Sequence, residues 1–551
     1  MALISFIKNI IEKSLLELNF PVKEQTIDIP KEEKFGDYSS NIAMLLTKEL
    51  KKAPRIIAAE IIEKLEYDKS RISKIEIAGP GFINFFINDA FYTDEIPIVL
   101  ELGDNFGKSE KNKGKKANLE WVSANPTKPL HAGHGRQICL GKSIANLLEW
   151  SGFELTREYY YNDAGNQMTL LAKSVKARYE QIFDENYPFP EDGYQGNYIK
   201  DIAEVIRLEK GDSFRGTDEL DYFRKKGEEY NFESIKSTLV ELGIKHDIFF
   251  NESSLYSEGT IKNIIDEFSK AGLTYEKDGA IWLKLEKEQE HQKDKVIVKA
   301  SGEPTYRLPD MAYHINKIKR GYDLIVDIFG SDHGETYREV LKGISSLGYD
   351  TSGINVIIHQ MVTFKSGNES VKMSGRFGTF YALDDLISDI GKDAVQFFFI
   401  MRSAGSHLDF DIELAKDESD KNPVYYLQYA HARICGILRN AGELMEDFEN
   451  KKIDFSLLKE KDEIDLIKIL LQFPLEVESA AYSLEPHKII TYLNQVAENF
   501  HRFYRNCRVI NIENKPLSFA RLGLALSAKQ ILKNGFHILG ISAPERMEKL
   551  P

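Results

Sequence analysis

The sequence predicts a multidomain α/β protein: a small α+β unit, a parallel-sheet unit with a helical insertion, and an all-helical unit, in that order. Three observations carry this. The chain has 551 residues, beyond the length at which single cores usually split. From about residue 117 short apolar strands alternate with helices, the pattern of βαβ units and a parallel sheet. From about residue 405 the pattern is helices only.

Residues 1–107 make the first unit. MALISFIKNIIEKSLLEL breaks its apolar residues with Lys8, Glu12, Lys13 and Glu17, so it reads as an amphipathic helix rather than a secretory signal. FGDYSSNIAMLLTKELKK leads to a second helix, RIIAAEIIEKLEY. IEIAGPGFINFFI reads as a strand pair turning at Gly79, Pro80 and Gly81. KSEKNKGKK, with Lys108, Lys111, Lys113, Lys115 and Lys116, reads as a solvated linker, although a local basic patch could also meet nucleic acid. The second unit spans 108–404. ANLEWVS is a strand, HAGHGRQICLGKSIANLLEWSG a helix ending at Gly152, and FELTREYYYND a second strand: one Rossmann-type βαβ unit. Residues 175–245 or so are helical and heavily charged, as an insertion would be. GAIWLKL, VIVKA, YDLIVDIFG and INVIIHQMVTF resume the strand signals. Residues 405–551 form the third, all-helical unit.

Apolar content of 42% and charged content of 29% are ordinary for a soluble globular protein. No run of about eighteen or more apolar residues offers a membrane span. Cys139, Cys435 and Cys507 are far apart, with neither a paired metal spacing nor a disulfide framework, which fits a reducing cytoplasm. A net charge of −14 argues against a nonspecific coat for nucleic acid and leaves specific RNA binding open.

WVSANPTKPLHAGHGRQ places His131, Gly133 and His134 where the first strand gives way to a helix. Helix N-termini at the carboxyl ends of parallel strands offer free N–H groups to anions. Imidazole donors would add to that, and Gly133 would let a flat adenine approach the backbone. Two unremarkable helix histidines are the plain alternative. Downstream, VKMSGRFGTF carries Lys372, Met373, Ser374 and Arg376 in a polar loop with Gly375 and Gly378 as flexible points, suited to neutralising charge on a transferred phosphoryl group. A surface loop is the alternative there. The two motifs together, in an α/β context, point to nucleotide chemistry.

With these motifs the chain resembles a class I aminoacyl-tRNA synthetase, and specifically the arginyl-tRNA synthetase family. SANPTKPLHAGHGR, REYYYNDAGNQM, YRLPDMAYH, GSDHGE and VKMSGRFG are similar to that family's catalytic blocks, in order. FGDYSSNIA and GPGFINFFI resemble its N-terminal domain; YYLQYAHARI and LGISAPERM resemble its helical one. The HIGH-type histidines and the KMSK-type loop identify the class, while REYYYNDAGNQ and YRLPDMAYH point to arginine.

The resemblance implies a HUP-like Rossmann catalytic domain, an N-terminal domain for the tRNA elbow and a DALR-type anticodon-binding bundle. It implies the ligation of L-arginine to tRNA(Arg) through an arginyl-adenylate, with ATP as substrate and Mg2+ carried on its phosphates, no metal held by protein side chains, a monomer, and a cytoplasmic location. It assigns ATP binding to His131, Gly133, His134, Lys372, Met373 and Ser374. Arginine falls to Ser123 and Asn125 at its α-amino and carboxylate end, to Glu252, Tyr306 and Asp310 at its guanidinium, and to His333. Carboxylates suit a planar, permanently charged guanidinium because they pair with it in a fork. Asp310 read alone is equally a helix-capping acid. Gly375 stands where the common loop has a second lysine, and in the family a lysine just ahead of the histidines substitutes; Lys128 occupies that place. RNA contact is implied for Phe82, Asn84, Tyr426, Tyr429, Arg433 and Met547. Tyr426, Tyr429 and Arg433 share a helical face by spacing, which is either a base-stacking platform or core. The resemblance also suggests that tRNA precedes activation. A noncatalytic tRNA-binding paralogue, a small-molecule adenylyltransferase and a synthetase of another specificity are the rival readings.

Overall fold

The structure is a computed structural model that describes the chain except residues 1, 31, 164, 286–293, 332, 333, 335, 368, 372–380, 443, 446, 447, 449–452 and 548–551. Helices α1 (Ala2–Glu17), α2 (Ile42–Leu50), α3 (Pro54–Lys64), α4 (Asp89–Glu95) and α5 (Pro97–Leu102) surround strands β1 (Ile27–Asp28), β2 (Tyr38–Ser40), β3 (Ile72–Ala78) and β4 (Phe82–Ile87). These strands form an antiparallel sheet in the order β1-β2-β4-β3. In FGDYSS, Gly36 sits at φ 85°, and a Cβ there would come within 2.7 Å of the Phe85 carbonyl. Only glycine accepts both the backbone and the approach. The turn delivers Asp37, which accepts the Ile87 amide at 2.8 Å and a hydrogen bond from Lys468 at 2.7 Å. Lys468 belongs to the C-terminal bundle, so this carboxylate ties the two ends of the chain together.

The central sheet contains β5 (Lys116–Glu120), β6 (Glu154–Tyr161), β7 (Ile248–Asn251), β11 (Leu324–Gly330) and β12 (Ile354–His359). Its order is β12-β11-β5-β6-β7 and every pairing is parallel. The chain runs outward from β5 in one direction and returns on its other side at β11. That reversal opens a crevice at the carboxyl ends of β5 and β11, where ligands of such sheets bind. Helix α6 (Gly135–Trp150) crosses from β5 to β6. It packs closely because Gly135 and Gly141 lack side chains: a Cβ would reach Phe399 at 2.3 Å and Trp121 at 2.1 Å.

Between β6 and β7 lie α7 (Gly165–Gln181), α8 (Asn197–Lys210) and α9 (Leu220–Glu241). The insertion therefore begins earlier than the charge pattern suggested. It has its own core, including Leu171, Val175, Tyr179, Ile202 and Phe223. Helices α10 (Glu252–Ser257) and α11 (Thr260–Lys270) precede β8 (Thr274–Lys277), β9 (Ala280–Leu283) and β10 (Lys295–Val298), a separate antiparallel sheet. Thus GAIWLKL and VIVKA do not extend the parallel sheet. Helices α12 (Arg307–Lys319) and α13 (Thr336–Ser346) flank β11.

INVIIHQMVTF splits into β12 and β13 (Val362–Ser366), where Arg136 of α6 donates to the Gln360 carbonyl at 2.9 Å. Strand β13 pairs with β14 (Glu369–Val371) and, in parallel, with β15 (Leu408–Asp411). Helices α14 (Leu383–Ile390) and α15 (Lys392–Ile400) separate them, and α16 (Ile412–Lys416) follows. Strand β15 corrects the expectation of helices only from 405. In LDFD, Leu408 and Phe410 are buried while Asp409 pairs outward with Lys365, a two-residue alternation too short to stand out. The helical bundle proper begins with α17 (Pro423–Asn440) and continues through Lys461–Leu471, Phe473–Ser483, His487–Asn506 and Lys515–Leu539.

Candidate active site and RNA-facing surfaces

The chain leaves β5 through a strained turn. Val122 and Ser123 both adopt left-handed backbone conformations, with φ of 73° and 42°. A β-branched residue there is costly and persists only where neighbours hold it. The Ser123 hydroxyl supplies one hold, donating to Glu120 at 2.9 Å and accepting the Tyr160 amide at 3.2 Å. Asn125 accepts the Asn162 amide at 3.1 Å and donates to Gln167 at 3.1 Å. The loops after β5 and β6 are thereby stitched across the crevice.

His131 and His134 fold back on their own backbone. Residues Ala132–His134 form a single 3-10 turn ahead of α6. His131 Nδ1 accepts the Gly133 amide at 3.1 Å, and His134 Nδ1 accepts the His131 amide at 3.2 Å. Burial, then the nearby Lys128 charge, push His131 down to about 4. His134 is pushed well down by burial and by its neighbours His131, Lys128 and His359. Both rings are therefore neutral at physiological pH, and an accepting Nδ1 leaves the proton on Nε2. The remaining amides are also engaged: Ala132 donates to Tyr381, His134 to His131 and Gly135 to Ala132. The expectation of free N–H groups is thus corrected at this turn, and each imidazole carries its proton on Nε2. Gly133 has a nearer reason than adenine: a Cβ there would lie 2.8 Å from His131 Nδ1.

Across the crevice sit two carboxylates. Glu252 opens α10, and its Oε2 accepts hydrogen bonds from Tyr160 at 2.7 Å and Asn162 at 2.9 Å. Its Oε1 takes none among the described residues. Burial raises its pKa. Asp310 lies in the first turn of α12 yet caps nothing: its carboxylate accepts no backbone amide among the described residues. Burial pushes it up to about 7, with Glu120, Glu252 and Asp327 adding repulsion and His314 opposing it. Asp310 therefore makes no capping bond, though it keeps a first-turn acid's place at the helix N-terminus, and two crowded carboxyls stand where a cation would relieve them. Tyr306 is 61% exposed, and the Arg307 guanidinium stacks 4.8 Å from its ring centre.

Beneath the crevice runs a buried charge network. Lys317 bridges Glu120 and Asp327 at 2.5 Å each, and His314 lies 3.1 Å from Asp327. Arg320 grips Glu158 in a fork at 2.7 and 2.8 Å, while Tyr313 and Asn118 complete that carboxylate's partners. The chain from Ser123 through Glu120, Lys317, Asp327 and His314 ends on the Asp310 carbonyl, 2.7 Å from His314 Nδ1. Sequence reasoning missed these residues. The available signal was acids inside otherwise apolar strands, which are seldom buried unless paired.

Asp163 also escaped notice. It accepts from the Asn251 side chain at 2.8 Å and the Ser253 amide at 3.3 Å, fixing the start of α10 and with it Glu252. Lys128 is partly buried, which lowers its pKa, and its charge reaches both histidines. His333, Lys372, Met373 and Ser374 lie outside the described residues. No group of three or more His, Cys, Asp or Glu among the described residues could hold a metal ion.

The expected RNA residues fall on two surfaces. Tyr426, Tyr429 and Arg433 line one groove of about 850 Å³ with His501, Arg502, Tyr504 and Arg505. The Arg433 guanidinium lies 4.7 Å from the Tyr504 ring centre. Phe82 and Asn84 border a shallow depression of about 390 Å³. Phe82 is partly exposed, whereas Asn84 is 2% exposed and takes a 2.7 Å hydrogen bond from Ser39. Met547 is half-buried beyond the last helix, where the Pro544 and Glu545 carbonyls accept from His431 and Arg439.

Three family models match in order: "Arginyl tRNA synthetase N terminal domain" over residues 5–87, "tRNA synthetases class I (R), catalytic domain" over 95–401, and "DALR anticodon binding domain" over 427–547. An arginine–tRNA ligase of Chlorobaculum tepidum is 48% identical over 549 residues, covering 98% of this chain and 99% of its own. One of Salinibacter ruber is 47% identical over 543 residues, covering 95% and 96%. A solved structure described as a putative arginyl-tRNA synthetase from Campylobacter jejuni superposes with a TM-score of 0.76 at 32% identity, covering 84% of this chain and 100% of that one. The Thermus thermophilus arginyl-tRNA synthetase shares the fold with a TM-score of 0.77 at 20% identity, covering 98% and 100%.

Proposed function

Because the chain belongs to the arginyl-tRNA synthetase family and is an ATP-dependent arginine–tRNA ligase, we propose that its crevice reads arginine by the Glu252–Asp310 pair and presents it to ATP held at the histidines. The carrying observation is that pair: two partly buried carboxyls, each raised by burial, with bonding capacity unused among the described residues. A guanidinium satisfies both in a fork and relieves their repulsion. A neutral or shorter side chain leaves them unpaired, so discrimination needs no editing site.

The arginine carboxylate attacks the α-phosphorus of ATP, the bond to the bridging oxygen breaks, and pyrophosphate leaves. A terminal ribose hydroxyl of tRNA(Arg) then attacks the adenylate carbonyl and AMP leaves. No side chain forms a covalent intermediate; the protein positions reactants and neutralises charge. Ser123 and Asn125 hold the α-amino and carboxylate end. The neutral His131 and His134 donate Nε2–H to phosphate oxygens, and the Lys128 ammonium neutralises charge that the second lysine of the usual loop would have met. Lys372, Met373 and Ser374 complete ATP binding, and Tyr306 and His333 the amino-acid pocket, on the strength of family likeness. Mg2+ enters on the phosphates of ATP, where it supplies further neutralisation.

Tyr426, Tyr429, Arg433 and Met547 meet the anticodon arm, and Phe82, with Asn84 beside it, meets the tRNA elbow. We take the chain as three domains, 1–107, 108–404 and 405–551, with residues 408–416 packed on the catalytic side. It acts as a cytoplasmic monomer. No helix among the described residues is long and apolar enough to cross a membrane.

The test is amino-acid-dependent ATP–pyrophosphate exchange with arginine, lysine and glutamine, with and without tRNA. Exchange with arginine alone, and only with tRNA present, is expected. Exchange driven equally by lysine contradicts the pocket, and arginine exchange without tRNA removes the coupling.

A further inference from the structure

The helical insertion makes its own core, yet it reaches into the crevice at defined points. Asn231 of α9 is fully buried and donates from Nδ2 to the Pro126 carbonyl at 3.2 Å. Tyr198 of α8 donates its hydroxyl to the Thr127 carbonyl at 3.1 Å. Tyr159 of β6 donates to the Ala124 carbonyl at 2.7 Å. Three carbonyls between the strained Ser123 and Lys128 are thus held by side chains from outside the loop, two of them from the insertion. Thr127 itself is buried, and Lys128 follows it directly. A lysine side chain is long and flexible, so the direction in which its ammonium is aimed depends on where its backbone is fixed.

We propose that the helical insertion α7–α9 is a positioning device for Lys128, clamping the Pro126 and Thr127 carbonyls through Asn231 and Tyr198. This rests on the assignment of Lys128 to the phosphoryl-transfer step. Asn231 and Tyr198 hold backbone carbonyls of the loop, so they act as positioning residues through it. Loss of a clamp lets the ammonium wander from the developing charge, while Glu252 and Asp310, on other elements, keep arginine in place. The insertion then bears on the chemical step rather than on amino-acid recognition.

The experiment is a double-mutant cycle in tRNA-supported ATP–pyrophosphate exchange, with Tyr198→Phe, Asn231→Ala and Lys128→Ala alone and combined. Tyr198→Phe removes one oxygen and tests the clamp even if the buried Asn231 variant fails to fold. The expected result is a roughly tenfold fall in kcat for Tyr198→Phe with little change in arginine KM, and no further fall when Tyr198→Phe is added to Lys128→Ala. Lys128→Ala that is slow but falls again by the same factor overturns the clamp alone. A near-normal rate for Lys128→Ala overturns the Lys128 assignment and the clamp with it. A raised arginine KM at unchanged kcat for Tyr198→Phe overturns the clamp by placing the insertion in recognition instead.

Discussion

Asp310 shows how one residue's surroundings set its chemistry. Its carboxyl is pushed up to about 7 by burial first and by neighbouring acids second; in the proposed pocket it exchanges that proton for a guanidinium when arginine enters. Only the ionised form pairs with the ligand. Below about pH 7 the proton must be displaced, so arginine KM rises by up to about tenfold per pH unit; above it, KM levels off. Measuring arginine KM by pyrophosphate exchange from about pH 6 to 8.5 checks this, with Asp310→Asn giving a high, flat profile. A flat profile in the unaltered protein contradicts it. The histidines were legible as a pair because their spacing is unusual at a strand end. Their tautomers were not, since those follow from Nδ1 accepting backbone amides. In YYYND, the two-residue period of β6 sends Tyr160 to the opposite face from Tyr159 and Tyr161, and Tyr160 meets Glu252. Three consecutive tyrosines gave no sign of which one would do so.

At the scale of elements, β5, β11 and α12 are joined by charge as much as by apolar packing. Burial works against the Lys317 ammonium, but Asp327 and Glu120 more than offset it, and its pKa is raised. Lys317→Met leaves both carboxylates buried without their cation. The expected loss is about 3–5 kcal/mol of stability near neutral pH, shrinking as pH falls and the acids protonate. Denaturant unfolding at about pH 7.5 and 5 measures it; an unchanged midpoint contradicts the network's role. Apolar runs and βαβ alternation made the parallel sheet readable, because a strand buried on both faces is apolar throughout. The same logic hid β15, whose four residues alternate, and merged β12 with β13, whose break depends on Arg136 arriving from a distant helix.

Over the whole molecule, α6 is the shared support. The histidine turn stands at its start, and farther along Lys142, Ser143 and Asn146 donate to the Gly540, Leu539 and His537 carbonyls at the end of the last helix. Asp104, after α5, accepts from Lys533 and Gln530 of that helix, so the first and last units also meet. None of these contacts is local in sequence, which is why three units could be read but not their docking. The groove opposite α17 was half legible: spacing aligned Tyr426, Tyr429 and Arg433, while the facing wall comes from His487–Asn506. Arg433→Ala is expected to weaken tRNA binding by roughly tenfold and to soften its salt dependence, leaving arginine KM unchanged at saturating tRNA. Aminoacylation at varied tRNA and salt concentrations reads this, and an unaltered tRNA KM contradicts the groove's role.

In the proposed pocket, two carboxylates select a guanidinium. The most direct measurement is pyrophosphate exchange, with tRNA present, comparing arginine with citrulline, which keeps the shape and replaces the cation by a neutral urea. A preference of about 10⁴ or more in kcat/KM for arginine, collapsing in Glu252→Gln and Asp310→Asn, is the expected result. Comparable use of citrulline by the unaltered protein would contradict it.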